Sequence, residues 1–173
     1  MRYILIGSHG TGKTTLCKAI KEVCGDKVVI RDGISRPMKK CKDKLGLSAY
    51  QEQAIINELT FFYWDYNKDF DTLISTRSPL DCEVYSRIFG WNDLANECSE
   101  RILESGIIND DEVKWLYIPI EFELEDDGVR FTDVELQKRI DDEMKQIINK
   151  YDIKYTTLTG SVEDRLNTLL KLI

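Results

Sequence analysis

The chain has 173 residues, of which 42% are hydrophobic and 32% charged, a size and mixture that fit one globular domain with a core of its own. Its net charge of −7 argues against broad nucleic-acid binding, which needs a basic surface. No apolar run is long enough to cross a bilayer, the single histidine excludes a histidine-rich metal centre, and the five cysteines lack the close spacing of a zinc site.

The N-terminal MRYILIG enters a glycine loop too soon to serve as a secretory signal, so a cytoplasmic protein with reduced thiols is expected. Residues 2–6 (RYILI) read as a buried strand ending at Gly7. A helix is expected from Gly12, with Leu16, Ile20 and Val23 at helical spacing and Gly25 as its stop. Residues 27–31 (KVVIR) read as a second strand, ending at Asp32-Gly33. Ser48-x-x-Gln51 is a capping box for a long helix to about Asn67, with Ile55, Ile56, Leu59, Phe62, Tyr63 and Tyr66 on or near one face. Residues 71–76 form a third strand. The following Ser78-Pro79-Leu80-Asp81 caps a helix to Ile88, with proline at its first position.

Residues 93–105 read as helix, closed by Gly106, and 113–118 (VKWLYI) as a fourth strand. Thr132-x-x-Glu135 caps a helix with Ile140, Met144, Ile147, Ile148 and Tyr151 on one stripe. Residues 153–158 give a fifth strand, and Ser161-x-x-Asp164 caps a last helix whose inner face is Val162, Leu166, Leu169 and Leu170. This alternation implies an α/β fold of three layers: one domain over residues 1–173, with a parallel sheet of about five strands and helices on both faces.

The strongest chemical signal is Gly7-Ser-His-Gly-Thr-Gly-Lys13-Thr14, which matches G-x-x-x-x-G-K-[ST] between a first strand and a helix. Gly7, Gly10 and Gly12, with Thr11, let the backbone fold tightly and turn its N–H groups on phosphate oxygens. The helix N-terminus adds partial positive charge. Lys13 can reach the β- and γ-phosphates and Thr14 can place its hydroxyl on Mg²⁺, so ATP with magnesium is the expected ligand pair. His9 sits in this loop and could touch the nucleotide, although a solvent-exposed place is the plainer expectation for it.

A guanine-reading Asn-Lys-x-Asp and the apolar run ending in Asp-Glu of motor ATPases are both missing, which leaves a small-molecule kinase. Its remaining parts should lie at the carboxyl ends of the strands. Asp32 and Arg36 follow the second strand, and Arg77 follows the third. Arg130 lies in the polar stretch after the fourth, and Arg139 on the next helix. Asp81 is sufficiently explained as a cap. Gln51 and Gln53, at the start of the long helix, could read the edge of a base, because an amide offers both donor and acceptor.

GSHGTGKTT, TRSPLD, EDDGVR and YDIKYTTLTGSVEDR together resemble P-loop kinases of the ribosylnicotinamide-kinase type, grouped with AAA-like ATPase/kinase domains. A looser resemblance holds to deoxynucleoside kinases. The resemblance implies a nucleoside/nucleotide-kinase fold with a short lid over the phosphates. It implies that Lys13, Thr14 and Thr15 handle the triphosphate and metal, and that Asp32 accepts or orients the acceptor hydroxyl. By the same carry-over Arg77 holds phosphate, Arg130 is the lid arginine, and Gly160 and Val162 pass near the adenine. The chain departs from the family at Thr76, where an aspartate usually precedes Arg-Ser. The expected activity is phosphoryl transfer from ATP to a nucleoside, nucleotide or related ribose-bearing small molecule. The competing expectations are a weak ATPase module that works through a partner and a kinase of polynucleotide ends.

Overall fold

The computed structural model describes residues 1–66, 70–123 and 133–173, with the side chains of these except at positions 36, 65 and 66. β1 (Arg2–Ile6) is buried along its whole length. Its residues alternate between two cores, as the two-residue strand period requires. Ile4 and Ile6 join the cluster built by the helices of one sheet face, while Tyr3 and Leu5 join the cluster on the other.

β1 pairs in parallel with β3 (Leu73–Ser75) on one side, Ile4 opposite Ser75, and with β4 (Val113–Tyr117) on the other, Ile6 opposite Tyr117. β2 (Val29–Arg31) extends the sheet beyond β3, and β5 (Tyr155–Thr157) extends it beyond β4. The order is β2-β3-β1-β4-β5, all parallel.

One face carries α1 (Lys13–Cys24) and α7 (Val162–Leu170), which meet through Leu16, Cys17, Ile20 and Leu169. The other carries α3 (Ala49–Tyr66), α4 (Pro79–Ile88), α5 (Asn92–Ser105) and α6 (Val134–Lys150) over Trp115 and Tyr117. This is the three-layer α/β arrangement expected from the alternation. Each fully buried aliphatic side chain, such as Ile4 or Ile140, contributes roughly 1.5–3 kcal/mol by leaving water.

Several local expectations are corrected. A helix absent from the sequence reading, α2 (Ser35–Leu45), follows β2. Its sequence, SRPMKKCKDKL, has almost no apolar stripe; Met38 is its one buried hydrophobic residue. Pro37 falls in its first turn, where a missing N–H costs nothing. In α3 the buried aromatics are Phe61 and Trp64, while Phe62 and Tyr63 are exposed. A run of consecutive aromatics carries no helical phase of its own, so the sheet beneath decides which ones turn inward. Val23 and Leu170 are exposed, and the inner face of α7 includes Arg165. The cap of α6 is Asp133, whose carboxylate accepts from the N–H groups of Glu135 and Leu136 at 2.9 and 3.1 Å. Thr132, placed there by the sequence, lies outside the described residues.

Glu83 on α4 is fully buried and joins three helices. Its carboxylate accepts from Arg87 (2.9 Å), Ser99 (2.8 Å), Lys150 (2.8 Å) and Tyr151 (2.7 Å). Burial alone would raise its pKa, but the bonds from Lys150, Tyr151, Ser99 and Arg87 outweigh burial and hold it below the ordinary glutamate value. A depressed folded pKa adds stability above the unfolded value, about 4.3, and that stability is lost as pH falls through the folded value. Urea melts from pH 7 to pH 3 are expected to show a fall in stability below about pH 4.3 that is shallower in Glu83→Gln. Parallel curves would show that the cluster does not couple to pH.

Candidate active site

The first turn of the chain after β1 explains why glycine is needed there. Gly7 has φ of 132°, and a Cβ on it would collide with the carbonyl oxygen of Ile118 at the end of β4. The loop then runs to Gly12 and into α1. Its carbonyls are held from several directions. Lys13 Nζ donates to the oxygens of Gly7 and Ser8, each at 2.6 Å, and lies 3.3 Å from Thr11 Oγ1. The Thr11 hydroxyl donates to the same Ser8 oxygen at 3.0 Å. Gln137 of α6 donates to the oxygen of His9 at 2.8 Å, and Arg165 of α7 to that of Thr11 at 2.7 Å.

Because a trans peptide points its N–H away from its carbonyl, these anchors turn the following N–H groups to the opposite side. His9 is buried, 5% exposed, rather than a solvent-exposed loop residue.

Sheet order places the ends of β1, β3 and β2 side by side, and a cleft of about 570 Å³ opens there. The phosphate loop supplies its floor, from His9 to Thr14. Asp32 and Gly33 come from the end of β2, and Thr76 and Arg77 from the end of β3. The far walls are Lys39 and Lys42 of α2, Glu52 and Gln53 of α3, Tyr85 of α4, and the pair Phe89 and Trp91. These two rings stack at 5.1 Å, and Tyr50 meets Trp91 edge-on at 5.9 Å. An aromatic wall of this kind offers a flat apolar surface to a planar ligand.

Asp32 is exposed to the cleft, and its Oδ1 is held twice. The buried Thr76 hydroxyl donates to it at 2.7 Å and the Gly33 N–H at 2.9 Å. The Gly33 N–H also lies 3.2 Å from Thr76 Oγ1. Arg77 donates to Asp81 Oδ1 at 2.8 Å and lies over the Tyr85 ring at 5.2 Å. Burial opposes its charge, but Tyr85 and Asp81 outweigh burial and raise its pKa. Gly33 is required by close approach: a Cβ would stand 2.6 Å from Arg77 Cγ. Asp81 Oδ2 accepts from the N–H and hydroxyl of Ser78 at 2.9 Å, completing the expected capping box. Cys17, one turn into α1, carries a thiol pushed up to about 12, first by burial and then by Asp32, against the pull of Lys13. It is neutral and no nucleophile.

The structure thus brings together the phosphate loop, Asp32, Arg77 and Asp81. Gln51 is elsewhere. Its Oε1 accepts from Ser48 N–H at 3.0 Å and its N–H donates to Ser48 Oγ at 3.2 Å, so it is consumed as the cap. Gln53 is the glutamine on the cleft. Thr15 is exposed and does not line the cleft, and neither do Gly160 and Val162. Arg139 reaches the carbonyl of Ile88, at 3.5 Å. The side chain of Arg36 and the whole of Arg130, with the lid, lie outside the described residues.

Arg165 was missed. It is 1% exposed, donates to Thr11 and to Glu121 Oε2 (2.6 Å), and lies over the Phe122 ring at 4.9 Å. Glu121 Oε2 also accepts from the Gly160 N–H at 2.9 Å. The loop after β4, the turn before α7 and the phosphate loop are therefore one bonded unit. The sequence offered one signal, a charged residue at an inner position of an amphipathic helix.

Thr14 and Asp32 both line the cleft and bring two oxygen donors to it. Magnesium at phosphates takes one or two protein oxygens and completes its shell with water and phosphate, so this sparse donor set fits that ion.

A parallel sheet in the order 2-3-1-4-5 with a phosphate loop after its central strand defines a P-loop fold of the nucleoside- and nucleotide-kinase type. Residues 2–165 match the AAA_28 family model, described as an AAA domain, and the chain belongs to that family. No curated protein matches it in sequence. Solved structures share its fold at low identity. Deoxyadenosine kinase from M. mycoides, with products dCMP and dCDP bound, superposes with a TM-score of 0.69 at 11% identity, covering 99% of this chain and 98% of that one. Thymidylate kinase from Candida albicans gives 0.68 at 14%, covering 99% and 90%. The NadR protein in complex with NR gives 0.71 at 16%, covering 98% of this chain and 49% of that one. No helix among the described residues is long and apolar enough to cross a membrane.

Proposed function

We propose that the protein is an ATP-dependent phosphotransferase whose acceptor is a hydroxyl on a nucleoside or a related ribose-bearing small molecule. The observation that carries this reading is the placement of Lys13, Thr14 and Asp32 on one cleft of about 570 Å³, within the size range of small-ligand sites. Magnesium, held by Thr14 and phosphate oxygens, would neutralise charge on the transferred group.

Asp32 has one oxygen tied to Thr76 and Gly33, and its Oδ2 is the oxygen that takes the acceptor's proton. As that proton moves, the acceptor oxygen bonds to the γ-phosphorus. The bond from that phosphorus to the β–γ bridging oxygen breaks, and its electron pair leaves on ADP. A carboxylate at this place suits an alcohol and repels a phosphate, so a nucleoside is favoured over a nucleotide as acceptor. Lys13 balances negative charge, and Arg77 is held in reach of the phosphates by Asp81.

Gln53 supports a base-bearing acceptor. One of its N–H groups goes to Asn57 Oδ1 at 2.7 Å, and Asn57 in turn donates to Ser86 at 3.2 Å. That chain fixes the amide, whose second N–H and oxygen can serve as a donor–acceptor pair for a base edge.

The test is ADP release with ATP and magnesium against adenosine, deoxycytidine, thymidine, nicotinamide riboside, thymidine monophosphate and bare ribose. At least one nucleoside is expected to raise release by roughly a hundredfold or more over no acceptor, since catalysis here is positioning of that hydroxyl. Bare ribose should be weaker. Release that no acceptor stimulates would mean a nucleotide-binding module instead.

A further inference from the structure

We infer that Thr76 is a positioning residue that clamps Asp32. This rests on the reading of Asp32 as the group that takes the acceptor proton.

The geometry is specific. Thr76 is 2% exposed, its N–H is tied to the carbonyl of Arg31 at 3.0 Å, and its Cα is fixed at the end of β3. Its hydroxyl donates to Asp32 Oδ1 at 2.7 Å and lies 3.2 Å from the N–H of Gly33. The hydroxyl is therefore used as donor, with a backbone N–H facing its lone pairs. A carboxylate at this position could not do the first of these. Ionised, it accepts only, and it would stand at hydrogen-bond distance from a second carboxylate. An ionised aspartate here could not hold the observed Asp32 rotamer by donating to it.

The consequence is a division of labour within one side chain. Oδ1 of Asp32 is anchored between the ends of β2 and β3, which fixes the plane in which Oδ2 lies. Two strands adjacent in the sheet thus fix the orientation of the proton acceptor, which on a loop end would otherwise rotate.

The proposal is tested with four variants, using whichever acceptor in the panel above gives fastest ADP release. Thr76→Val keeps the shape and removes the hydroxyl. It is expected to lower kcat by roughly 10–100-fold, as loss of an orienting hydrogen bond does, with KM for ATP changed less than about threefold. Thr76→Ser restores the donor and should recover kcat to within roughly threefold of the parent. Thr76→Asp is expected to lose activity at least as far as Thr76→Val, because the two carboxylates repel. Thermal melts of all variants separate lost rate from lost fold, and the serine and aspartate variants decide the matter if the valine variant is unstable. Activity raised by Thr76→Asp, or unchanged by Thr76→Val, overturns the proposal. Asp32→Asn at the parent rate would instead overturn the assignment of Asp32 itself.

Discussion

Lys13→Ala is expected to lower acceptor-dependent ADP release by about a thousandfold or more, the scale of removing a charged contact to a transferring phosphoryl group. Lys13 is the cation placed within the phosphate loop itself, 7% exposed and bonded to two of the loop's carbonyls. Its position one residue before Thr14 puts ammonium and hydroxyl at the same helix start. The loss should fall on kcat more than on nucleotide binding, because the loop N–H groups and the helix end remain for the ground state.

The carbonyls of Gly7 and Ser8 lose a charged donor worth roughly 1.5–3 kcal/mol, partly replaced by water from the cleft, so a modest fall in Tm is expected. Activity is checked against circular dichroism and a thermal melt of the same sample. A folded variant that keeps more than about a tenth of the parent rate would contradict the kinase reading, given the effect sizes known for such groups.

Arg165→Met is the change expected to cost the fold most. Arg165 is buried but Glu121 is exposed and keeps its water, so the loss falls on the buried contact to Thr11 and comes to roughly 1.5–3 kcal/mol. Here Glu121 would lose its arginine, Thr11 its carbonyl donor and Phe122 the cation over its ring. Methionine keeps much of the packing volume, so the loss reports the polar contacts. For a chain of this length the drop in Tm is about 3–12 °C. ATP affinity, read by a shift of that melt with nucleotide, should fall in parallel, since the Thr11 peptide is freed. A melt within about 2 °C of the parent, with normal nucleotide stabilisation, would show that the buried arginine is dispensable.

Much of this was legible in the sequence because the signals are local. A glycine loop between an apolar run and an amphipathic helix is complete within some twenty residues, and so are the capping boxes at Ser48, Ser78 and Ser161. What escaped was set by distant partners. The helix Ser35–Leu45 is mostly polar and carries little periodicity to read, yet it brings Lys39 and Lys42 to the cleft. Gln51 and Gln53 are chemically alike and two residues apart, so only the direction of the helix separates cap from cleft wall. Thr76 read only as a departure from the family pattern because its partner, Asp32, lies 44 residues away. Arg165 went unread because its partner, Thr11, lies 154 residues away.

Those separations also set an order of assembly. A nascent chain folds from its beginning, and the phosphate loop emerges almost first. Yet the oxygen of His9 waits for Gln137, 128 residues later, and that of Thr11 waits for Arg165, 154 residues later. A ribosome-bound chain that has released β1 and α1 holds the whole motif and none of its outer anchors. The loop's outer anchors are therefore complete only once the last helix has been made.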